Sequence, residues 1–552
     1  MAGLATMPAL AVADDADATD IAPETALPGD STGILLRQAS EALAARDVFA
    51  AADAFTKAAA ESPNPAVAER ATQFDYGVGM DELAEQAAAR WATLDPRNPL
   101  PHELLGRLKL RRHAIDEAVP DLLAALGPAQ PRRDEVYLAL ASDLASEDDP
   151  RLVTRVLARL TALDPLSPGL QLALGTAAMR SGDFELALGA AEAASVGDPG
   201  WPEAQLLMAR ALTALDRQPE ALAKIKVLMA DASNPMLTLD CVRLLADAGK
   251  PDEAREALKA LVAEYGEQPE ITRTQAFLAM AGGDLEAADG HLAKLEDAGN
   301  HRFEAFYFRG QIAAERGDVE TARRFYGRVT SGPYLVPAQI ATAESLARAD
   351  AGEQALDGLA RFSRDHPAEA FDVLAYRAQL LQHLDRPDEA LAAYAEALRY
   401  KPAAVSILLA RAALLEQQGR VKEAIRDTEA AVKIAPADPA ATNALGYVLA
   451  NRTRDTRRAW SLVRTAYEQQ PASGPIQDSV GWVLYKLGRT EEARSHLEEA
   501  LASMRDPEIA SHLAEVYVKL GERGRAEELL KSMAKDHPDS KPLQDTMRRL
   551  LR

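Results

Sequence analysis

A small or short side chain recurs at nearly constant spacing along this chain of 552 residues. Successive occurrences lie 33 to 35 residues apart, and we refer to these positions as anchors. The anchors are Ala39, Thr72, Gly106, Ala141, Gly175, Ala209, Val242, Ala276, Gly310, Ala343, Ala378, Ala412, Gly446, Gly481 and Ala514. A repeat of this length predicts a series of equal structural units, each of which contacts only its neighbours, instead of three or four globular domains.

Other residue types recur at fixed distances from the anchors. An alanine follows most anchors by twelve residues, at Ala51, Ala84, Ala118, Ala187, Ala221, Ala254, Ala288, Ala322, Ala355, Ala390, Ala424, Ala493 and Ala526. Glycines seven residues after an anchor suit a left-handed turn that ends a helix. They are Gly182, Gly249, Gly283, Gly317, Gly419, Gly488 and Gly521. The pattern resembles the tetratricopeptide repeat, in which two antiparallel helices form one unit.

This resemblance implies an all-α fold, a right-handed superhelical solenoid of about fifteen helix pairs. Each anchor would lie where the first helix of a pair, helix A, touches the second, helix B. Charge divides the solenoid into an acidic part, residues 33–400, and a continuation, residues 401–540. Residues 401–552 carry 24 Lys and Arg against 21 Asp and Glu, in a chain whose net charge is -22. Residues 541–552 are predicted to form a helix that covers the exposed end of the stack.

The N-terminal residues suggest export. Residues 1–13 carry no charge and end in Ala11-Val12-Ala13, which resembles the cleavage site of a secretory signal peptide. No basic residue precedes the apolar stretch, so an alanine-rich tail on a cytoplasmic protein is the alternative. Residues 14–32 are rich in Asp and Glu and predict a disordered linker. No other segment approaches the roughly 18 to 20 apolar residues needed to span a bilayer.

The sequence predicts neither an enzyme nor a cofactor or metal site. It contains no His-Glu-x-x-His pair, no phosphate-binding loop and no nucleophile elbow. The single cysteine, Cys241, excludes an internal disulfide and a cysteine-based metal site. The acidic part does not suit nucleic acid, because phosphate neutralisation needs a positive face.

Protein binding is the expected activity, and the repeat predicts its location. Residues of helix A that lie three before, one after, or four or five after an anchor should point into the concave groove. In the last repeats these positions hold large polar and aromatic residues: Asn443, Tyr447, Asn451, Asp478, Trp482 and Tyr485. Asparagine can bond both polar groups of a peptide backbone, and Trp and Tyr supply rigid contact area. The alternative interpretation is that these aromatic residues pack between helices.

The strings from Asn443 to Ala450 and from Asp478 to Arg489 resemble the C-terminal repeats of a family of proteobacterial envelope proteins, often outer-membrane lipoproteins. One type of this family is an adaptor for a periplasmic C-terminal-processing protease. The resemblance implies a scaffold in the periplasm or at the outer membrane, whose partners are a protease and its substrates. This chain lacks the lipid-accepting cysteine of the lipoprotein type, so the usual membrane anchor is not predicted.

Two other hypotheses stay open. The chain could be an assembly factor for export of a polysaccharide or a protein across the envelope. It could also be one part of a larger enzyme whose catalytic domain lies elsewhere.

Overall fold

The computed structural model describes residues 31–45, 47–127, 134–147, 149–196, 199–230 and 234–550. Regular structure within these ranges is helical, without a strand. The predicted signal-peptide remnant, residues 1–13, and nearly all of the acidic linker, residues 14–32, lie outside the described residues. The chain forms two compact units, Met1–Leu380 and Leu381–Arg552.

The helices of the first unit are α1 (Ser31–Ala44), α2 (Val48–Glu61), α3 (Pro65–Gly77), α4 (Asp81–Leu94), α5 (Pro99–Arg111), α6 (Ile115–Ala125), α7 (Asp134–Leu144), α8 (Pro150–Leu163), α9 (Pro168–Ser181), α10 (Phe184–Ala194), α11 (Pro202–Ala214), α12 (Gln218–Ala230), α13 (Pro235–Asp247), α14 (Pro251–Tyr265), α15 (Pro269–Ala281), α16 (Leu285–Lys294), α17 (Arg302–Glu315), α18 (Val319–Tyr326), α19 (Leu335–Arg348) and α20 (Gly352–Asp365). Two short 3-10 helices, Gly299–His301 and Pro367–Glu369, precede α17 and α21.

Helix α21 (Ala370–His383) contains the boundary between the units. The second unit continues with α22 (Pro387–Tyr400), α23 (Val405–Gln417), α24 (Val421–Ile434), α25 (Pro439–Arg452), α26 (Thr456–Gln469), α27 (Gly474–Lys486), α28 (Thr490–Ser503), α29 (Pro507–Lys519), α30 (Arg523–Asp536) and α31 (Lys541–Leu550).

Each anchor lies in an odd-numbered helix, from Ala39 in α1 to Ala514 in α29. The odd-numbered helices up to α29 are therefore the A helices, and the even-numbered helices are the B helices. The prediction of an all-α fold with about fifteen helix pairs is confirmed. After the last pair, α31 buries Leu543 and Thr546.

The small anchors allow helices A and B to approach closely. A Cβ atom added to Gly481 would lie 2.6 Å from Leu497 Cγ and 3.1 Å from the carbonyl oxygen of Ala493. Fourteen of the fifteen anchors are buried. The exception is Ala141, which is half-buried and lines a cavity of about 230 Å³ together with Val153 and Leu172.

Many A helices end at a residue whose backbone takes the left-handed conformation, with positive φ. This residue lies seven positions after the anchor. The glycines predicted at this position all have positive φ, between 71° and 82°. Four residues with side chains take the same conformation at the same position: His113, Asp216, Asp350 and Asp385, with φ between 56° and 64°. The turn geometry therefore persists where glycine is absent, at a cost in backbone strain.

The close contact at Gly481 leads to a stability prediction. Gly481→Ala should lower the free energy of unfolding by about 1 to 3 kcal/mol, because the new methyl group overpacks the contact with α28. Gly358→Ala is the control, since Gly358 is an exposed helix residue with open space around its Cα. The control should stabilise the protein by about 1 kcal/mol through helix propensity. Urea unfolding measures both, and equal effects would contradict the role of the anchor.

Candidate functional site

The six predicted site residues lie on two neighbouring A helices of the second unit. Asn443, Tyr447 and Asn451 belong to α25, and the other three belong to α27. Helix α25 begins after Asp438, whose side chain accepts hydrogen bonds from the backbone N–H groups of Ala440 and Ala441. Such an N-cap satisfies donors that have no partner inside the helix. It fixes the start of α25 and so the direction in which its polar residues point.

Asp478 forms an ion pair with a histidine of the next A helix. The Nδ1 atom of His512, in α29, lies 2.9 Å from one carboxylate oxygen of Asp478 and 3.1 Å from the other. Both residues are buried. Burial alone would lower the pKa of His512, but the nearby carboxylate of Asp478 outweighs it, so the pKa is raised. The carboxylate of Asp478 therefore favours the protonated imidazole.

Trp482 is enclosed by the side chains of A helices. Its ring stacks on the His512 ring at 4.0 Å between centroids and on the Tyr485 ring at 5.3 Å. The ammonium group of Lys486 lies 4.1 Å from the Trp482 ring centroid. Only 4% of Trp482 is exposed. The tryptophan thus lies on the predicted helix face, but its ring is already covered by neighbouring side chains of the chain itself.

Tyr447 connects the A helices of alternate repeats. Its hydroxyl donates a hydrogen bond of 2.5 Å to Glu508, in the first turn of α29. Burial, followed by the charge of Glu508, raises the pKa of Tyr447 well above its usual range. Because α27 lies between α25 and α29 in the chain, this contact joins the two repeats that flank Trp482.

Asn451 contacts the preceding repeat. Its amide nitrogen donates to the carboxylate of Glu416, in α23, over 2.8 Å. Arg452 also donates to that carboxylate. Glu416 is buried, so the two donors compensate a charge that would otherwise be costly to remove from water.

Two enclosed polar atoms of the six predicted site residues have no hydrogen-bond partner within the described part of the chain. They are Nε1 of Trp482, a donor, and Oδ1 of Asn443, an acceptor. A buried polar group without a partner costs about 1 to 3 kcal/mol. The site therefore keeps one donor and one acceptor, which another molecule could reach only if the covering side chains moved.

Several residues that contact the predicted site residues were not predicted from the sequence. His512 lies two residues before its anchor and Glu508 six before, outside the positions that were predicted to face the groove. Glu416 is at a predicted position, four residues after Ala412, but lies in an otherwise unremarkable repeat. The sequence shows the helix face of each residue, whereas these pairings depend on contacts between repeats.

A second aromatic group lies in the first unit, where the sequence analysis named no site residue. Phe277 follows its anchor by one residue and Tyr307 precedes its anchor by three, so the same rule would have found both. Phe277 contacts Phe308 at 4.8 Å between ring centroids, and Tyr307 contacts Tyr334 at 5.1 Å. The hydroxyl of Tyr334 donates to Glu304 over 2.7 Å.

Metal-binding geometry is not found among the described residues, where no group of three or more His, Cys, Asp or Glu side chains is arranged to hold an ion. Within the same ranges, no helix has both the length and the apolar character required to cross a membrane.

Comparison with known protein families supports the assignment of helix pairs as repeats. Family models described as tetratricopeptide repeats match residues 172–235, 235–260, 304–328, 376–439 and 484–550. These segments lie in both units and follow the observed period. The chain therefore contains tetratricopeptide repeats, and proteins built from this repeat generally mediate protein–protein interactions.

Two relatives share part of the sequence. The TPR repeat-containing protein PA4667 of Pseudomonas aeruginosa is 30% identical over 211 residues, which are 38% of this chain and 36% of that protein. Cellulose synthase operon protein C of Xanthomonas axonopodis pv. citri is 27% identical over 298 residues, 49% of this chain and 19% of that protein. The matched region thus spans well under half of the length of either relative.

Two solved structures show low-scoring similarity to this chain. The APC/C hetero-tetramer Cut9–Hcn1 matches 97% of this chain and 99% of its own chain, with 17% identity and a TM-score of 0.35. A thermophilic TPR protein of Thermus thermophilus matches 33% of this chain and 99% of its own, with 24% identity and a TM-score of 0.30.

The burial of Trp482 predicts that its replacement affects stability. Trp482→Ala should lower the free energy of unfolding by about 3 to 5 kcal/mol, because it removes a large packed ring. Tyr447→Phe keeps the ring and removes only the bond to Glu508, so it should cost about 1 kcal/mol. Thermal unfolding followed by circular dichroism compares the two variants. An unchanged melting temperature in Trp482→Ala would contradict the packed position of the ring.

The His512–Asp478 pair predicts a pH-dependent stability. Because folding raises the pKa of His512, the pair stabilises the protein fully below the unfolded pKa of about 6.5. That stabilisation is lost as the pH rises through the folded pKa. Asp478→Asn should therefore lower the melting temperature more at pH 6 than at pH 9. Asp545→Asn, at an exposed residue of α31, is the control and should show a small difference that does not change with pH.

Proposed function

We propose that this chain is a non-catalytic adaptor of the cell envelope that recruits a processing protease, or another envelope enzyme, together with its client proteins. The observation that carries the proposal is the cluster on α25, α27 and α29. It combines aromatic side chains, charged pairs and two enclosed polar atoms without partners on one face of the A helices. Such a mixture suits a polypeptide partner, which offers both backbone polar groups and apolar side chains.

The mechanism is an increase in effective concentration. A partner enzyme and its client, each held weakly on the same scaffold, meet far more often than two free molecules do. The adaptor needs no reactive group of its own.

The compartment is part of the proposal. An envelope location is supported by the signal-peptide-like end of residues 1–13 and by the resemblance of the strings in α25 and α27 to envelope proteins. A cytoplasmic location is the alternative.

A second candidate function is assembly of an envelope export system for a polysaccharide or a protein. The observation that favours it is the 27% identity over 298 residues with a protein named for a cellulose synthase operon. The two candidate functions share the scaffold and differ in the partners that it holds.

Site-directed photocrosslinking in the native cell separates the candidates. A photoreactive residue replaces Ala413, which is exposed and follows the anchor Ala412 on α23. The matched control carries it at Glu468, an exposed residue of the B helix α26. We expect position 413 to capture a protease and its clients, identified by mass spectrometry, well above the control.

Capture of membrane export components at position 413 would instead support the second candidate. Equal labelling at positions 413 and 468 would contradict the A-helix face as the partner site. Cell fractionation of the same strain tests the proposed compartment, and recovery in the cytosol alone would exclude an envelope adaptor.

A further inference from the structure

Several large apolar side chains of the first unit are exposed. Eight large apolar residues of the described chain are exposed, and five of them fall between Leu163 and Met236. Three lie at the C-terminal ends of α8 and α10, where Leu163 is 63% exposed, Leu166 89% and Val196 82%. Exposed apolar residues at corresponding ends of successive B helices offer a contact surface to another molecule, because leaving large apolar side chains in water is unfavourable.

The two B helices beside these residues carry opposite charges on their exposed faces. On α8 the exposed residues include Arg151, Arg155 and Arg159. On α10 they include Glu185 and Glu192. Within the described residues, Arg159 forms an exposed ion pair with Asp116, and the other four form none within 4 Å.

The repeat places these charges at matching levels along the helix axes. The anchors of the two repeats, Ala141 and Gly175, are 34 residues apart, so each residue of α8 has an equivalent in α10 34 positions later. Arg151 is equivalent to Glu185. Arg159 is equivalent to the residue that follows Glu192, and Leu163 is equivalent to the residue that follows Val196.

We propose that the exposed faces of α8 and α10 form the interface between two copies of this chain. In this dimer the two-fold axis lies between the two copies and runs parallel to α8 and α10. It packs α8 of one copy against α10 of the other, and the two packed helices run in the same direction. Arg151 then faces Glu185 of the second copy, and Arg159 faces its Glu192. Leu163 and Leu166 meet Val196 of the second copy. The symmetry makes every contact twice, as in other self-complementary two-fold interfaces.

Charge complementarity favours a second copy over an unrelated partner. Each chain carries a net charge of -22, which opposes association where acidic surfaces meet. Salt screens exposed charges over about 8 Å, so the charges close to the interface determine whether two copies attract or repel each other. Residues 151–236 contain eight Lys and Arg against nine Asp and Glu, which makes this stretch nearly neutral. In the proposed dimer, arginines on α8 of one copy face glutamates on α10 of the other, so the local charges attract.

The mass of the full chain in solution tests the interface. Sedimentation velocity over a concentration series should show a reversible dimer of twice the 59.3 kDa chain mass. Val196→Glu places a charge in the apolar contact and should weaken dimerisation at least about tenfold, a change of 1.4 kcal/mol or more. Met504→Glu makes the same kind of change at an exposed methionine of the second unit and should leave the dimer unchanged.

A charge exchange and a crosslink test the arrangement of the two copies. Arg151→Glu alone should weaken the dimer, and adding Glu185→Arg should restore it. The double variant Arg155→Cys with Gly189→Cys, at equivalent positions of α8 and α10, should form an oxidised dimer, and each single variant should not. The native Cys241 is buried and does not take part.

A chain that stays monomeric at every concentration would overturn the interface. So would a dimer that is unaffected by both Val196→Glu and Arg151→Glu, with circular dichroism showing that the variants are folded. The proposal does not depend on the adaptor function, because the mass is measured on the purified chain without any partner.

Discussion

In most repeats, helices A and B can approach closely because the residue at their crossing is glycine or alanine. At Gly310 an added methyl group would lie 2.4 Å from the Tyr326 ring, and at Gly446 it would lie 2.6 Å from Val463. This steric limit explains why small residues recur at the anchors while the rest of each helix varies. Close pairing determines which face of helix A remains for other contacts, so the position of every functional side chain depends on it.

The A-helix face of the second unit is held together by contacts between repeats. His512 pairs with Asp478 on the neighbouring A helix, and Tyr447 reaches Glu508 two repeats later. These bonds use side chains that could otherwise meet a partner, and they cover most of Trp482. A partner at this site would therefore bond with the remaining polar atoms or displace existing contacts, and side-chain rearrangements of this kind are common when proteins bind.

The two units offer different chemistry for association. Both units have buried charged pairs and aromatic contacts, and the first also has exposed apolar residues on B helices that carry exposed arginine and glutamate. A repeat fold permits this division, because each repeat contacts only its neighbours and its outer residues vary without disturbing distant packing. A dimer through α8 and α10 would double the number of partner sites per assembly and so increase the avidity of the proposed adaptor.

The sequence alone determined the helical class, the number of helix pairs, the anchors and most of the left-handed turns, because these follow from local sterics that repeat every 34 residues. The turns at His113 and Asp350 could not be read in this way, since side chains disfavour positive φ. Only the tertiary structure decided that Trp482 is covered while Leu166 is exposed. Both outcomes depend on how neighbouring repeats pack, and helical periodicity specifies the face of a residue but not what lies against it.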